Sequence, residues 1–156
     1  MADQHYSRKF LVLVDESPEC DRAVTFAANR VKRVGGALVL LSVIDTQDFD
    51  QFIGVADTMR AEARNEAERN LDARIARIAE FGQIRTETVI REGRPAEAIE
   101  RLVSEDPAIG ILVIAASTSD KGPGPLVSHF VGHKSLHILV TIVPGAMTDA
   151  EIVAVA

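Results

Sequence analysis

A doubly wound α/β fold, with a five-stranded parallel sheet covered by helices on both faces, is what this sequence predicts. Three observations carry it. Five short apolar runs alternate with stretches of helical periodicity along the chain. Four of the runs are apolar almost without interruption, as strands must be when helices cover both their faces. Each connection between runs is long enough to hold the helix of a right-handed parallel crossover.

The first run is Phe10 to Val14. Ser17-Pro18 then reads as an N-cap followed by proline at the first helical position, and Gly35-Gly36 closes that helix. Its apolar residues Ala23, Phe26, Ala27, Val31 and Val34 keep a helical spacing. Ala37 to Val43 is the second strand. The second helix spans about Val55 to Phe81, with Met59, Ala63, Ala67, Leu71, Ile75 and Ile78 on one side and Gly82 at its end. Ile84 to Ile90 is more polar than the other runs, which places it at a sheet edge. A third helix opens at Pro95 and stops before Pro107, which cannot continue it. Ile109 to Ala115 is the fourth strand, about Leu126 to Ser135 a short fourth helix, and Ile138 to Val143 the last strand. Residues 1–145 form the α/β domain. In the tail, 146–156, Thr148 to Glu151 has the spacing of a capping box and predicts a turn of helix.

With 156 residues, 47% of them hydrophobic and 26% charged, the chain fits one soluble domain with a core. Seventeen basic residues against 23 acidic ones leave a formal charge of −6, a poor match for the phosphates of nucleic acid. Six Phe, one Tyr and no Trp leave little for base stacking. A single cysteine, Cys20, excludes an internal disulfide and gives no sign of an oxidising compartment. The apolar stretch after Lys9 is too short for a signal peptide or a membrane span. These features predict a cytoplasmic protein with neither nucleic acid nor membrane as partner.

Ligands of doubly wound sheets bind beyond the carboxyl ends of the strands, where strand order reverses. Two segments qualify. Asp15-Glu16-Ser17 follows the first strand, and Ala116 to Pro125, rich in Gly, Ser and Thr, follows the fourth. The second would offer backbone N–H groups, hydroxyls and a helix N-terminus to an anion; the alternative is a plain crossover loop. Asp15, Glu16 and Asp120 would all stand around that crevice. No P-loop and no Gly-x-Gly-x-x-Gly pattern occurs, and no nucleophile–base pair or motif for acyl or hydride transfer can be read. A receiver-domain reading fails because Ile90-Arg91-Glu92 replaces the aspartate that would be phosphorylated after the third strand. His129, His133 and His137 recur every fourth residue, but His137 adjoins the last strand, so solvated or packing histidines are the simpler reading than a metal site. Cys20, in the first helical turn, is expected to be a half-buried, inert thiol.

The order of segments resembles the universal stress protein family from Lys9 to Pro144. The residues concerned are Phe10 to Ser17, Leu40 to Val43, Gly93-Arg94-Pro95, Leu112 to Ser117 and Thr141 to Pro144. The phosphate-loop pattern of that family's nucleotide-binding members, Gly-x2-Gly-x9-Gly-Ser/Thr, falls here on Ser119-x2-Gly122-x9-Gly132-His133. Two of its glycines match; serine replaces the first, histidine stands at the hydroxyl position, and Ser135 follows two residues later. The resemblance implies strand order 3-2-1-4-5 and an adenine nucleotide, ATP or AMP, between strands 1 and 4, with magnesium as companion to a triphosphate. Asp15 and Ser17 would lie beside the nucleoside and the backbone of Val43 at the adenine. Ala116, Ser117, Ser119, Gly122, Gly124, Gly132, His133 and Ser135 would line the phosphates. It also implies a homodimer through Ile138 to Val143 and a regulatory protein partner. The chain then reads as a stress-related binding module, at most a slow ATPase. The alternative is a homodimeric protein-interaction module with a vestigial crevice.

Overall fold

Phe10, Leu11 and Val12 are buried, and the strand they form is the middle of the sheet. The computed structural model describes residues 8–46, 49, 54–132 and 136–156. In chain order the elements are β1 (Lys9–Leu13), α1 (Cys20–Val34), β2 (Ala37–Ile44), α2 (Ala56–Phe81) and β3 (Thr86–Glu92). They continue with α3 (Pro95–Glu105), β4 (Ile109–Ala115), α4 (Pro125–Gly132), β5 (Leu139–Val143) and α5 (Asp149–Val155). The five strands found among the described residues are all parallel, in the order β3-β2-β1-β4-β5.

The pleat sorts the core into two layers. Phe10, Val12, Leu38, Leu40 and Val113 pack under α1, α2 and α5; Leu11, Val39, Leu41, Leu112 and Ile114 pack under α3 and α4. The polar third run is an edge strand, as its composition predicts, although it starts two residues later than the apolar pattern suggests. On α2, Ala67, Leu71 and Ile78 of the expected stripe are buried, whereas Ile75 is exposed. Gly36, at φ 107°, admits no side chain, because a Cβ there would run into the Arg8 carbonyl at the entrance of β2. No helix among the described residues is long and apolar enough to cross a membrane.

The first helix departs from expectation. Its start is Cys20, with Glu19 at the N-cap position in α-helical geometry and no side-chain cap bond. Ser17 does not cap it. The Ser17 hydroxyl and N–H both donate to Asp15 Oδ1, at 2.6 and 2.8 Å, and that local turn delays the helix. Cys20 is fully buried, with Sγ 3.7 Å from the Leu13 carbonyl, and burial pushes its thiol pKa up. It is more buried than the sequence reading expects and no more reactive.

After β5, Thr148 caps α5 by accepting from the Glu151 N–H at 3.2 Å. Ile152 is buried in the α1–α2 layer. Asp149 accepts from Arg22 on α1 at 2.7 Å and from Arg77 on α2 at 3.0 Å. Arg77 also donates to the buried hydroxyl of Thr25 at 2.9 and 3.1 Å, so one guanidinium ties three helices together.

At the opposite end of the sheet from the strand C-termini, Lys9 Nζ donates to Asp106 at 2.8 Å and to Glu87 at 3.1 Å. The Lys9 hydrogen bond holds the Asp106 carboxyl below its ordinary range, against the opposing effect of burial. A carboxylate that titrates lower in the folded chain than in the unfolded one stabilises the fold at every pH above its unfolded value. That contribution is lost as pH falls through the folded value. In urea unfolding, the advantage of the native chain over Asp106→Asn should therefore be greatest near neutrality and shrink below about pH 4.

Candidate functional site

Among the described residues, a crevice of about 610 Å³ opens at the carboxyl ends of β1 and β2 on the α3–α4 side of the sheet. Its volume suits a small organic ligand. Leu13, Val14 and Val43 form the floor, while Pro95, Ala96, Pro125 and Leu126 bring in the first turns of α3 and α4. Both helices begin at a proline, which needs no N–H partner there and directs two helix N-termini to one rim. Charge enters through Asp15, Asp45 and Arg94, and His129 adds an imidazole.

Strand length decides what the floor presents. β1 pairs with β2 only as far as Leu13 and Leu41, and one more bond joins the Val14 N–H to the Leu41 carbonyl at 2.7 Å. β2 runs on to Ile44, paired with β3 on its other side. Backbone direction alternates along a strand, so Val43 turns its N–H and C=O the same way as Leu41, past the point where β1 has ended. A donor and an acceptor on one residue, at the edge of an apolar floor, match the hydrogen-bonding edge of a planar heterocycle.

Asp15 stands at the rim with its carboxylate aimed by Ser17. Arg74 on α2 fixes the same turn from behind. Its Nη2 donates to the Asp15 carbonyl at 3.1 Å, and its Nε lies 3.1 Å from Asp21 in an ion pair rather than a well-directed hydrogen bond. On the far wall, His129 Nε2 is 2.9 Å from Glu100 Oε1, joining α4 to α3.

The loop after β4 is folded on itself. Ala116 is anchored to the Val143 carbonyl at 2.8 Å, and the Ser117 N–H donates to the Pro123 carbonyl at 2.8 Å. The hydroxyls of Ser117 and Ser119 accept from the N–H groups of Ser119 and Lys121, at 3.1 and 3.2 Å, and the Gly122 N–H reaches the Ser119 carbonyl at 3.3 Å. Gly122 and Gly124 have φ of 112° and 106°, so left-handed backbone is what these glycines supply. The N–H groups of Ser117, Ser119, Lys121 and Gly122 are thus bonded inside the loop.

Asp15 and Val43 are the expected site residues that the structure brings into the crevice lining. Ser17 acts through Asp15. Ala116, Ser117, Ser119, Gly122 and Gly124 precede the rim residues Pro125 and Leu126 and are not among the lining residues of this crevice. Gly132 is at the other end of α4, roughly 10 Å away by helical rise. His133 and Ser135 lie outside the described residues. Asp45 is a further carboxylate at the crevice; Glu16 lines two adjoining grooves, one shared with Asp15, Val43 and Asp45 and the other with Glu62 and Glu66 of α2, and Asp120 lines none of the three. Sequence reasoning missed Asp45, Arg94 and His129. The strand rule itself could have found the first two, because they follow the C-termini of β2 and β3 on the same rim as Asp15. Among the described residues no three of His, Cys, Asp and Glu are grouped to hold a metal.

The family model for the universal stress protein family matches residues 7–122. Comparison with curated proteins gives no significant match. Among solved structures, universal stress protein UspA from Lactobacillus plantarum shares 24% identity at a TM-score of 0.74, covering 88% of this chain and 97% of its own. A protein from the same family in Burkholderia pseudomallei shares 22% at 0.70, covering 90% and 98%. A universal stress protein solved in complex with cAMP shares 17% at 0.58, also covering 90% and 98%. At such identities these structures support the fold.

Gly145, just past β5, gives a sharp test of how the rim is packed. A Cβ there would overlap the Ala116 carbonyl and come within 2.9 Å of both the Glu19 and Thr118 side chains. Gly145→Ala should cost about 1–3 kcal/mol in denaturant unfolding, the usual penalty of overpacking.

Proposed function

This chain belongs to the universal stress protein family, and from that premise we propose that it is a cytoplasmic, stress-related regulatory module that binds an adenine nucleotide in the crevice under α3 and α4. The observation that carries this reading is Val43. A backbone donor and acceptor beyond the end of β1, above an apolar floor, suit the Watson–Crick edge of adenine. The carboxylate of Asp15 accepts hydrogen bonds from ribose hydroxyls. Arg94 and the first turns of α3 and α4 provide positive potential for a phosphate at the rim, with the α4 turn next to the loop after β4. A related protein's complex with cAMP supports the choice of ligand class. AMP and ATP are the ligands considered, and Mg²⁺ would accompany ATP, with Asp15 and Asp45 as hard oxygen donors at the crevice.

Regulation follows from position. The loop between β4 and α4 leads directly into the rim at Pro125 and Leu126, so an occupied crevice biases its conformation and the surface shown to a regulatory protein partner. A second copy of the chain pairs along β5, where Leu139 and Ile142 are 68% and 37% exposed. Twofold symmetry makes that pairing antiparallel.

Two experiments test these statements. Calorimetric titration with adenosine, AMP and ATP, with and without Mg²⁺, should give saturable heat, and Ala96→Trp, which fills the crevice, should weaken binding at least tenfold. No heat from any ligand at millimolar concentration would overturn the nucleotide reading and leave the protein-interaction dimer. In sedimentation, the native chain should be dimeric and Ile142→Lys should shift it to monomer.

A further inference from the structure

At the point where strand order reverses, a single side chain bridges the turn after β1 and the loop after β4. Glu19 Oε1 accepts from the Thr118 hydroxyl at 3.1 Å and from the Thr118 N–H at 3.4 Å. Hydroxyl and backbone donors of this kind are what such a loop presents to a phosphate oxygen. Here they already face an oxygen anion that belongs to the chain. The neighbouring N–H groups, those of Ser117, Ser119, Lys121 and Gly122, are bonded within the loop.

The bridge is built into the packing. Gly145 leaves the space in which the Glu19 and Thr118 side chains meet, since a Cβ there would come within 2.9 Å of each. The Ala116 N–H, bonded to the Val143 carbonyl, fixes the start of the loop beside it. Hydrogen bonds from its own N–H, then from the Thr118 N–H and hydroxyl, hold the Glu19 carboxyl below its ordinary range, so it stays charged near neutrality. Glu19 does not line the crevice, so its charge bears on whatever leaves the crevice toward the loop rather than on the base pocket.

We infer that Glu19 is the chain's own substitute for a phosphate at this loop, and that it sets ligand choice. A nucleoside or nucleoside monophosphate is accepted, and a polyphosphate tail is opposed, because it must displace the carboxylate from Thr118 or lie against a like charge. The inference rests on the nucleotide reading above.

The test compares the native chain with Glu19→Gln, which keeps size and an acceptor oxygen, and with Glu19→Ala. Each is titrated without Mg²⁺ against adenosine, AMP, ATP and inorganic tripolyphosphate. Adenosine affinity should stay within about twofold, while ATP binding tightens at least tenfold in both variants and tripolyphosphate binds the variants alone. Unchanged ATP-to-adenosine ratios in both variants, with adenosine still bound, would overturn the role of Glu19 and leave the nucleotide reading standing. Tripolyphosphate gained by the variants while no adenine ligand binds any form would sink the nucleotide reading and keep the Glu19 role. No gain and no adenine binding would overturn both.

Discussion

β1 has no solvent side. Leu11 and Val12 point to opposite faces and are both fully buried, as are Leu112 and Val113 on the adjacent β4. A central pair of strands that is apolar on both faces has to be covered twice, which requires helices above and below and therefore crossovers that begin and end on opposite rims. Every strand then delivers its C-terminus to one rim, and the loops after β1, β2 and β3 meet there without any further device. Even the tail conforms, since α5 extends the layer over α1 rather than starting a new one.

That constraint also explains why the rim combines an apolar floor with crowded polar groups. The floor is the end of the core, where Leu13, Val14 and Val43 have lost their neighbouring strand. The polar groups are the chain's means of turning back. Asp15 closes its turn through Ser17, Arg74 secures that turn from α2, and the Ser-Gly loop bonds four of its N–H groups internally. A ligand arriving here gains apolar contact readily, whereas each hydrogen bond it makes to the loop replaces one the protein already has. In the proposed reading, recognition is thereby concentrated on the Val43 edge and the charged side chains.

Much of this was legible in the sequence. Near-continuous apolar runs located the strands to within two residues, and the polar Ile84–Ile90 run identified an edge. The proline of α3 marked its first residue correctly. Ser17-Pro18 misled because the same serine can cap a helix or bond a nearby aspartate, and only the path of the turn decides between them. Asp15 and Val43, which line the crevice, could be placed on its rim because strand ends are visible as ends of apolar runs. Asp45 and Arg94 follow the ends of β2 and β3 and could be read by the same rule, whereas the place of His129 depends on how α4 leans over the sheet. The loop was recognised by composition, but its closed hydrogen bonding was not, since glycine and serine serve an empty cradle and a self-bonded turn equally well.

The two edges of the sheet are chemically unlike. β3 carries Glu87, Arg91 and Glu92 among its residues, with Glu87 and Arg91 engaged in ion pairs, whereas β5 shows Leu139 and Ile142 to the outside. A sheet with two adhesive edges could add neighbours at both and grow into a ribbon. In the proposed dimer, two joined β5 edges would leave a composite sheet ending on both sides in β3, whose charges would discourage a third chain. The same polarity that marks β3 as an edge in the sequence would then act as a chain terminator, limiting that proposed assembly to a closed pair and guarding against fibrillar growth.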